Sequence, residues 1–165
     1  MLTNNGRSVA QISAEKPTLL VFLRHFGCTF CREALADLAK VQDEIAQAGT
    51  QLILIHMADH KTAEAYFERY GLNPTEHVSD PSCQFYKAFG LTKGTPKQLF
   101  GLQSWIRGFD AGVVKGLGVG TQLGDGFQMP GVFAVHRSEV KASFIHKLAS
   151  DRPVYLDLVK QCCAL

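Results

Sequence analysis

Little in this 165-residue sequence ties it to a membrane, a nucleic acid or a disulfide scaffold. No apolar run approaches the roughly 18 residues needed to span a bilayer. The net charge is only +2 and the 17 basic residues are scattered, so no patch marks a nucleic-acid or membrane-surface binder. Residues 1–16, MLTNNGRSVAQISAEK, lack the basic start, apolar middle and small-residue cleavage site of a secretory signal. The expected compartment is therefore the reducing cytoplasm. Repeats, low-complexity tails and interdomain linkers are missing too. The five cysteines, at 28, 31, 83, 162 and 163, are an odd number and do not read as a disulfide framework. What is present, 46% hydrophobic and 19% charged residues, describes an ordinary soluble globular chain long enough for one domain with a sizeable core.

The informative stretch is LVFLRHFGCTFCREALADL, residues 20–38. Residues 18–26 are dense in β-branched and large apolar side chains, the pattern of a strand buried on both faces. A helix is expected over 29–48, with Ala34, Leu35, Leu38, Val41 and Ile45 at three- and four-residue intervals and Gly49 as its stop. Cys28-Thr29-Phe30-Cys31 lies where the one becomes the other. A second buried strand, 51–58, and a second helix, 60–71, complete a βαβ unit with parallel strands. A short strand at 77–80 follows, then a helix capped by Asp80 with Pro81 at its first position, and another starting at Thr95-Pro96. Leu99, Leu102, Ile106 and Phe109 continue that spacing beside Trp105, before glycines gather at 112, 116, 118, 120, 124 and 126. GVFAVHR and VKASFIHK alternate as a hairpin turning near Ser138-Glu139, and VYLDLVKQCC closes the chain as a helix.

A cysteine at a helix N-terminus gains thiolate character from unpaired N–H groups and the helix dipole. One turn separates Cys28 from Cys31, so one sulfur can attack and the other resolve. A zinc ion would need two further ligands. No second C-x-x-C or H-x3–5-H pairs with the first, so no metal is expected at the cysteines; two inert buried thiols are the remaining alternative. Arg24 and His25, just before the pair, are candidates to stabilise a thiolate or donate a proton to a leaving oxygen. Arg107 is a weaker candidate. Cys83, Cys162 and Cys163 read as structural thiols. GLGVG at 116–120 carries no G-K-[ST] and follows no buried strand of a βαβ unit, so it reads as loop and not as a phosphate cradle.

The order of elements resembles the thioredoxin-like fold: α/β, a central mixed sheet flanked by helices, with an insertion at 92–128 before the final β-hairpin and a 1–16 extension on a single 1–165 domain. VFLRHFGCTFCREALADL, GDGFQMPGVFAV and, more weakly, VSDPSCQFYKAFGL resemble the AhpC/TSA-type, peroxiredoxin-like group that includes selenoprotein L and prostamide/prostaglandin F synthase. The resemblance implies thiol-dependent reduction of a peroxide or a related oxidised compound, reset by an external reductant of thioredoxin or glutathione type. It implies no bound cofactor, and a homodimer in keeping with the superfamily's habit. It also implies a cis peptide at Pro130 facing the cysteines, with Met129, Thr29 and Phe30 against the substrate.

The two parent patterns disagree about register. Aligned on thioredoxin, Cys28 attacks and Cys31 resolves. Aligned on the peroxiredoxin P-x3-[ST]-x2-C pattern, Cys31 attacks, and Arg24 and Cys28 replace the Pro and the Thr or Ser. The peroxiredoxin arginine before the final hairpin is replaced by Gln128-Met129-Pro130. The sequence favours Cys28 as nucleophile. A protein thiol–disulfide oxidoreductase without peroxidase activity, or a non-catalytic binding protein using the insertion as its contact surface, are the alternatives.

Overall fold

The computed structural model describes residues 1–100 and 123–163. Strand β1 (Thr18–Phe22) is buried at every position and β2 (Gln51–His56) at all but its first. Neither strand alternates polar and apolar, because both of their faces are covered. Leu19 and Val21 join one apolar cluster with Leu35, Leu38, Leu54 and Val159. Leu20 and Phe22 face the opposite way, into a second cluster with Ile12, Ile55, Tyr86 and Phe133. Alternation of side chains across one strand thus builds two cores.

Between β1 and β2 runs α2 (Thr29–Gln47), with Leu35, Leu38 and Ile45 buried. The two strands are parallel, Thr18 opposite Gln51 and Phe22 opposite Ile55. Helix α3 (His60–Arg69) leads to β3 (Glu76–Ser79), parallel to β2. Short helices α4 (Gln84–Ala88) and α5 (Pro96–Phe100) precede β4 (Gly131–His136) and β5 (Glu139–Ile145). The chain returns against the sheet as α6 (Tyr155–Cys163). The sheet order is β3-β2-β1-β4-β5, with β4 antiparallel to β1. This is the mixed sheet with flanking helices that the sequence implies. No helix among the described residues is long and apolar enough to cross a membrane.

The differences are local. Residues 1–16, read as an extension, contain helix α1 (Val9–Glu15), which buries Val9 and Ile12 in the second core. Ser13 accepts the Arg137 N–H at the far hairpin, tying this helix to the fold. Strand β1 ends four residues early: the Leu23 N–H still reaches Ile55 O at 2.8 Å, and the chain then turns, with Cys28 N donating to His25 O. Asp80 caps a helix as expected, accepting from the N–H groups of Gln84, Phe85 and Tyr86. That helix begins at Gln84 rather than Pro81, because Cys83 sits in the left-handed region at φ 56. The hairpin turns on Arg137 and Ser138, both left-handed, which matches the twist of the flanking strands. Trp105, Ile106, Arg107, Phe109 and the GLGVG run lie outside the described residues.

Tyr86 locks the strands just below the site. Its hydroxyl donates to Leu23 O at 2.6 Å and Ile55 O at 3.1 Å, in a fully buried position. Replacing it with phenylalanine removes the donor while keeping the ring, and should lower stability by about 1 kcal/mol. Urea unfolding should show this as a lower midpoint at unchanged slope.

Candidate redox site

Cys28 is the N-cap of α2, in extended conformation, and its carbonyl accepts the N–H groups of Cys31 at 3.1 Å and Arg32 at 3.2 Å. The cap's side chain makes no hydrogen bond to the helix backbone, so the sulfur is available to other partners. Cys28 is half-buried, whereas Cys31, one turn on, is 2% exposed. Burial pushes the Cys31 thiol well above the ordinary range, and the neighbouring Cys28 adds to this; Arg24 and Arg32 pull the other way. All five cysteines are unpaired.

Arg24 turns in from the end of β1, and is itself 6% exposed. Its Nη1 donates to Cys28 Sγ at 2.9 Å, and its Nη2 donates to the carbonyl of Gly126. Gly126 belongs to the returning limb of the 92–128 insertion. The base of that insertion is closed like a clasp. Lys93 bridges Gln128, Gly94 N donates to Phe127 O at 2.7 Å, and Met129 N to Thr92 O. Lys93 Nζ adds an ion pair to Asp125 at 2.8 Å, which holds the Asp125 carboxyl below the usual range. The Gln128 amide donates to the carbonyls of Leu91, Thr92 and Met129. A guanidinium buried in this way requires compensation, and its two NH2 groups find it in a sulfur and a carbonyl.

His25 behaves differently. Its imidazole is lowered to about 4, by burial first and by the Arg24 charge second, with Asp125 opposing. Near neutral pH the ring is therefore uncharged. Its Nδ1 is buried without a hydrogen-bond partner, and no hydrogen bond joins it to either cysteine.

Behind the pair lies a narrow cleft lined by Arg24, Phe30, Cys31, Pro130, His146 and Arg152 among others. Phe30 packs on Leu99, Met129 and Ala149, so one of the two residues between the cysteines rests on the insertion's first helix. Thr29 is buried as the first residue of α2. Cys31 lines the cleft and Cys28 does not.

Pro130 stands at the start of β4 beside the cleft, but the cis geometry expected of it is absent. The Met129–Pro130 bond is trans, and among the described residues the cis peptide is Asn73–Pro74. The reason lies in the clasp. Met129 N is already bonded to Thr92 O, and the chain runs on extended into β4, where Gly131 pairs with Phe22. Met129 is 3% exposed and packs with Leu99, Ala149 and Phe30.

Comparison with known proteins fits this geometry. The model of the AhpC/TSA antioxidant enzyme family matches residues 37–150, most of the chain. The chain belongs to this family. The match begins after both cysteines, so membership rests on the body of the fold and not on the C-x-x-C. Among curated relatives, the chloroplastic thioredoxin-like protein AAED1 of Arabidopsis thaliana is 27% identical over 99% of this chain and 68% of its own length. Peroxiredoxin-like 2C of Bos taurus is 32% identical over 57% of this chain, and the match covers 42% of the bovine protein. The chain thus aligns with only part of the length of these relatives. The solved structure of the peroxidoxin BcpB from Mycobacterium tuberculosis superposes over 100% of this chain and 91% of its own, with a TM-score of 0.64 at 14% identity. At that identity the likeness is one of fold.

Within the family frame, Arg24 is the informative departure. It delivers a guanidinium to the site from the end of β1. Of the residues the sequence singles out, the structure brings Arg24, Cys28, Cys31 and Phe30 together; it adds Gly126 and Asp125, and gives Gln128 a part in the clasp. Gly126 takes part through a backbone carbonyl, which has no sequence signature, and the Gln128 and Asp125 side chains act on partners distant in the chain.

Two measurements test the site. Arg24→Gln should slow alkylation of Cys28 near neutral pH by about tenfold, the effect of one lost charge-assisted hydrogen bond, as read by mass spectrometry. Second, His25 and His146 are each lowered to about 4, mainly by burial, against 6.5 unfolded. The unfolded chain then binds more protons between those values. Stability should be full above pH about 6.5 and fall as pH drops toward about 4. Urea midpoints measured across that window should decline, and His25→Asn should flatten the decline.

Proposed function

We propose that this chain is a thiol-dependent oxidoreductase that reduces a peroxide or a related oxidised compound through a Cys28–Cys31 dithiol cycle. The observation that carries the reading is the Arg24 guanidinium 2.9 Å from the sulfur of a half-buried cysteine at a helix N-terminus. A guanidinium and a helix N-terminus both stabilise negative charge that develops on an atom held against them. The Cys28 thiolate attacks the outer peroxide oxygen; the O–O bond breaks, and the leaving alkoxide or hydroxide takes a proton to give an alcohol or water. Arg24 keeps its own proton and stabilises charge, while neutral His25 lies near as a polar neighbour. The sulfenic acid on Cys28 is then attacked by Cys31, forming the disulfide and releasing water. Two electrons from an external dithiol, of thioredoxin or glutathione type, restore both thiols.

Burial of Cys31 suits the second role: a thiol held protonated until the sulfenic acid forms does not compete for oxidant. The insertion clasp and Phe30, Met129, Thr29 and Pro130 wall the substrate. The reverse order, Cys31 attacking, has one observation in its favour, the cleft beside Cys31. A protein thiol–disulfide exchange activity without peroxide reduction uses the same pair in the same order. The cytoplasm suits a cycle that needs a reductant, and a homodimer is consistent with the superfamily.

One equivalent of hydrogen peroxide added to reduced protein should be consumed and yield a Cys28–Cys31 link in peptide maps. Cys28→Ser should abolish consumption, while Cys31→Ser should leave a sulfenic acid that a dione reagent traps. Trapping on Cys31 in the Cys28→Ser protein would reverse the order. Unconsumed peroxide, with mixed disulfides to other proteins accumulating on Cys31→Ser, would replace peroxide reduction by disulfide exchange.

A further inference from the structure

Away from the cysteines, three histidines turn one ring nitrogen each toward a common point. His56 ends β2, His60 begins α3, and His77 lies on β3, whose pairing sets it opposite Leu54. These three nitrogens lie within 4.8 Å of one another. His56 Nε2 is 2.8 Å from His77 Nδ1, and His60 Nδ1 is 3.4 Å from His77 Nδ1. His56 is 0% exposed and His77 1%, whereas His60 is exposed and opens the point to solvent.

A hydrogen-bonded pair of neutral imidazoles accounts for the 2.8 Å contact. It does not account for a third imidazole aimed at the same place, nor for what lies behind His77. The other nitrogen of that ring, Nε2, is 3.6 Å from the Glu64 carboxylate. A carboxylate behind a histidine whose opposite nitrogen faces a shared centre is the arrangement that orients metal-ligating histidines. His77 Nε2 is otherwise buried without a hydrogen-bond partner. Phe67 packs against both His56 and His77, and Phe26 against His56, giving the point an apolar wall.

The distances suit a small ion. Nitrogens about 2.0–2.1 Å from a tetrahedral ion stand roughly 3.3–3.4 Å apart. The His60–His77 separation already has that value, and the His56–His77 contact needs to open by about half an ångström. Three neutral nitrogen donors, with a fourth position open to water on the His60 side, match borderline transition metals and not oxygen-seeking calcium or magnesium. We propose that His56 Nε2, His60 Nδ1 and His77 Nδ1 form a binding site for one divalent transition-metal ion of the zinc type, with Glu64 orienting His77 through Nε2. The spacing is visible in HMADH, residues 56–60, where two histidines stand four apart. It completes no set with the cysteines; strand pairing supplies its third member instead. The ion would fasten the end of β2 and the start of α3 to β3, whatever the cysteines do.

Cobalt titration of the reduced, chelator-treated full chain tests this without reference to activity. One equivalent should bind and give the visible bands of four-coordinate cobalt, without the near-ultraviolet band of thiolate coordination. His60→Ala removes an exposed ligand with little risk to the fold, and should weaken binding by at least about tenfold; Glu64→Gln should weaken it by about tenfold. Equimolar zinc should raise the Tm of the unmodified chain but not that of His60→Ala. No cobalt binding, a thiolate band lost on replacing Cys28 and Cys31, or equal affinity in His60→Ala would each overturn the proposal.

Discussion

A single guanidinium joins the three segments that make the site. Arg24 leaves the end of β1, reaches the sulfur at the tip of α2, and holds the carbonyl of Gly126 in the insertion's returning limb. Each contact depends on the others. Without the Gly126 carbonyl, Nη2 would be buried and unpaired, at a cost that turns the side chain elsewhere. Without the clasp between Lys93 and Gln128, Gly126 would not be presented. The insertion is therefore not an appendage to a finished site. Its stem is one wall of the charge cradle, and its first helix, through Leu99, supports one of the two residues between the cysteines.

The cradle makes two chemically similar residues unlike. Cys28 meets a positive charge and the helix tip while keeping contact with solvent. Cys31 has burial against it, and its thiol is driven up. The effects divide the pair into an entry sulfur and a reserve sulfur, and both follow from where the helix starts. If α2 began one residue later, the guanidinium would meet a different side chain and the buried position would pass to Arg32. The neutral state of His25 belongs to the same economy: beside Arg24, a second buried positive charge would be strongly disfavoured.

Much of this was legible in the sequence, for reasons that can be stated residue by residue. Continuous apolar runs at 18–26 and 51–58 gave away strands covered on both faces, though both strands end sooner, and the helical spacing after Thr29 placed the cysteines at a junction. Asp80 advertised a cap. What escaped depends on partners distant in the chain. Helix α1 has only seven residues, too few to be stable alone, and exists because Val9 and Ile12 find the second core. The start of α4 shifted because Cys83 adopts a left-handed conformation that its residue type does not announce. Pro130 is trans because Met129 is engaged by Thr92, nearly forty residues earlier. The Gly126 carbonyl could not be seen at all, since backbone acceptors carry no side-chain signature.

Topology explains why chemistry gathers where it does. Parallel strands send their carboxyl ends to one edge of a sheet, and the turns that leave that edge collect side chains from segments distant in sequence. Arg24 and Cys28 follow β1, His56 ends β2, and Asp80 follows β3. Phe26 lies between the first two groups: its ring meets His56, and its carbonyl accepts Arg32 Nε from the first turn of α2. The histidines and the cysteines thus share a wall without sharing a ligand. Phe26 stands two residues before Cys28 and in ring contact with His56, so its position is common to the packing of both clusters.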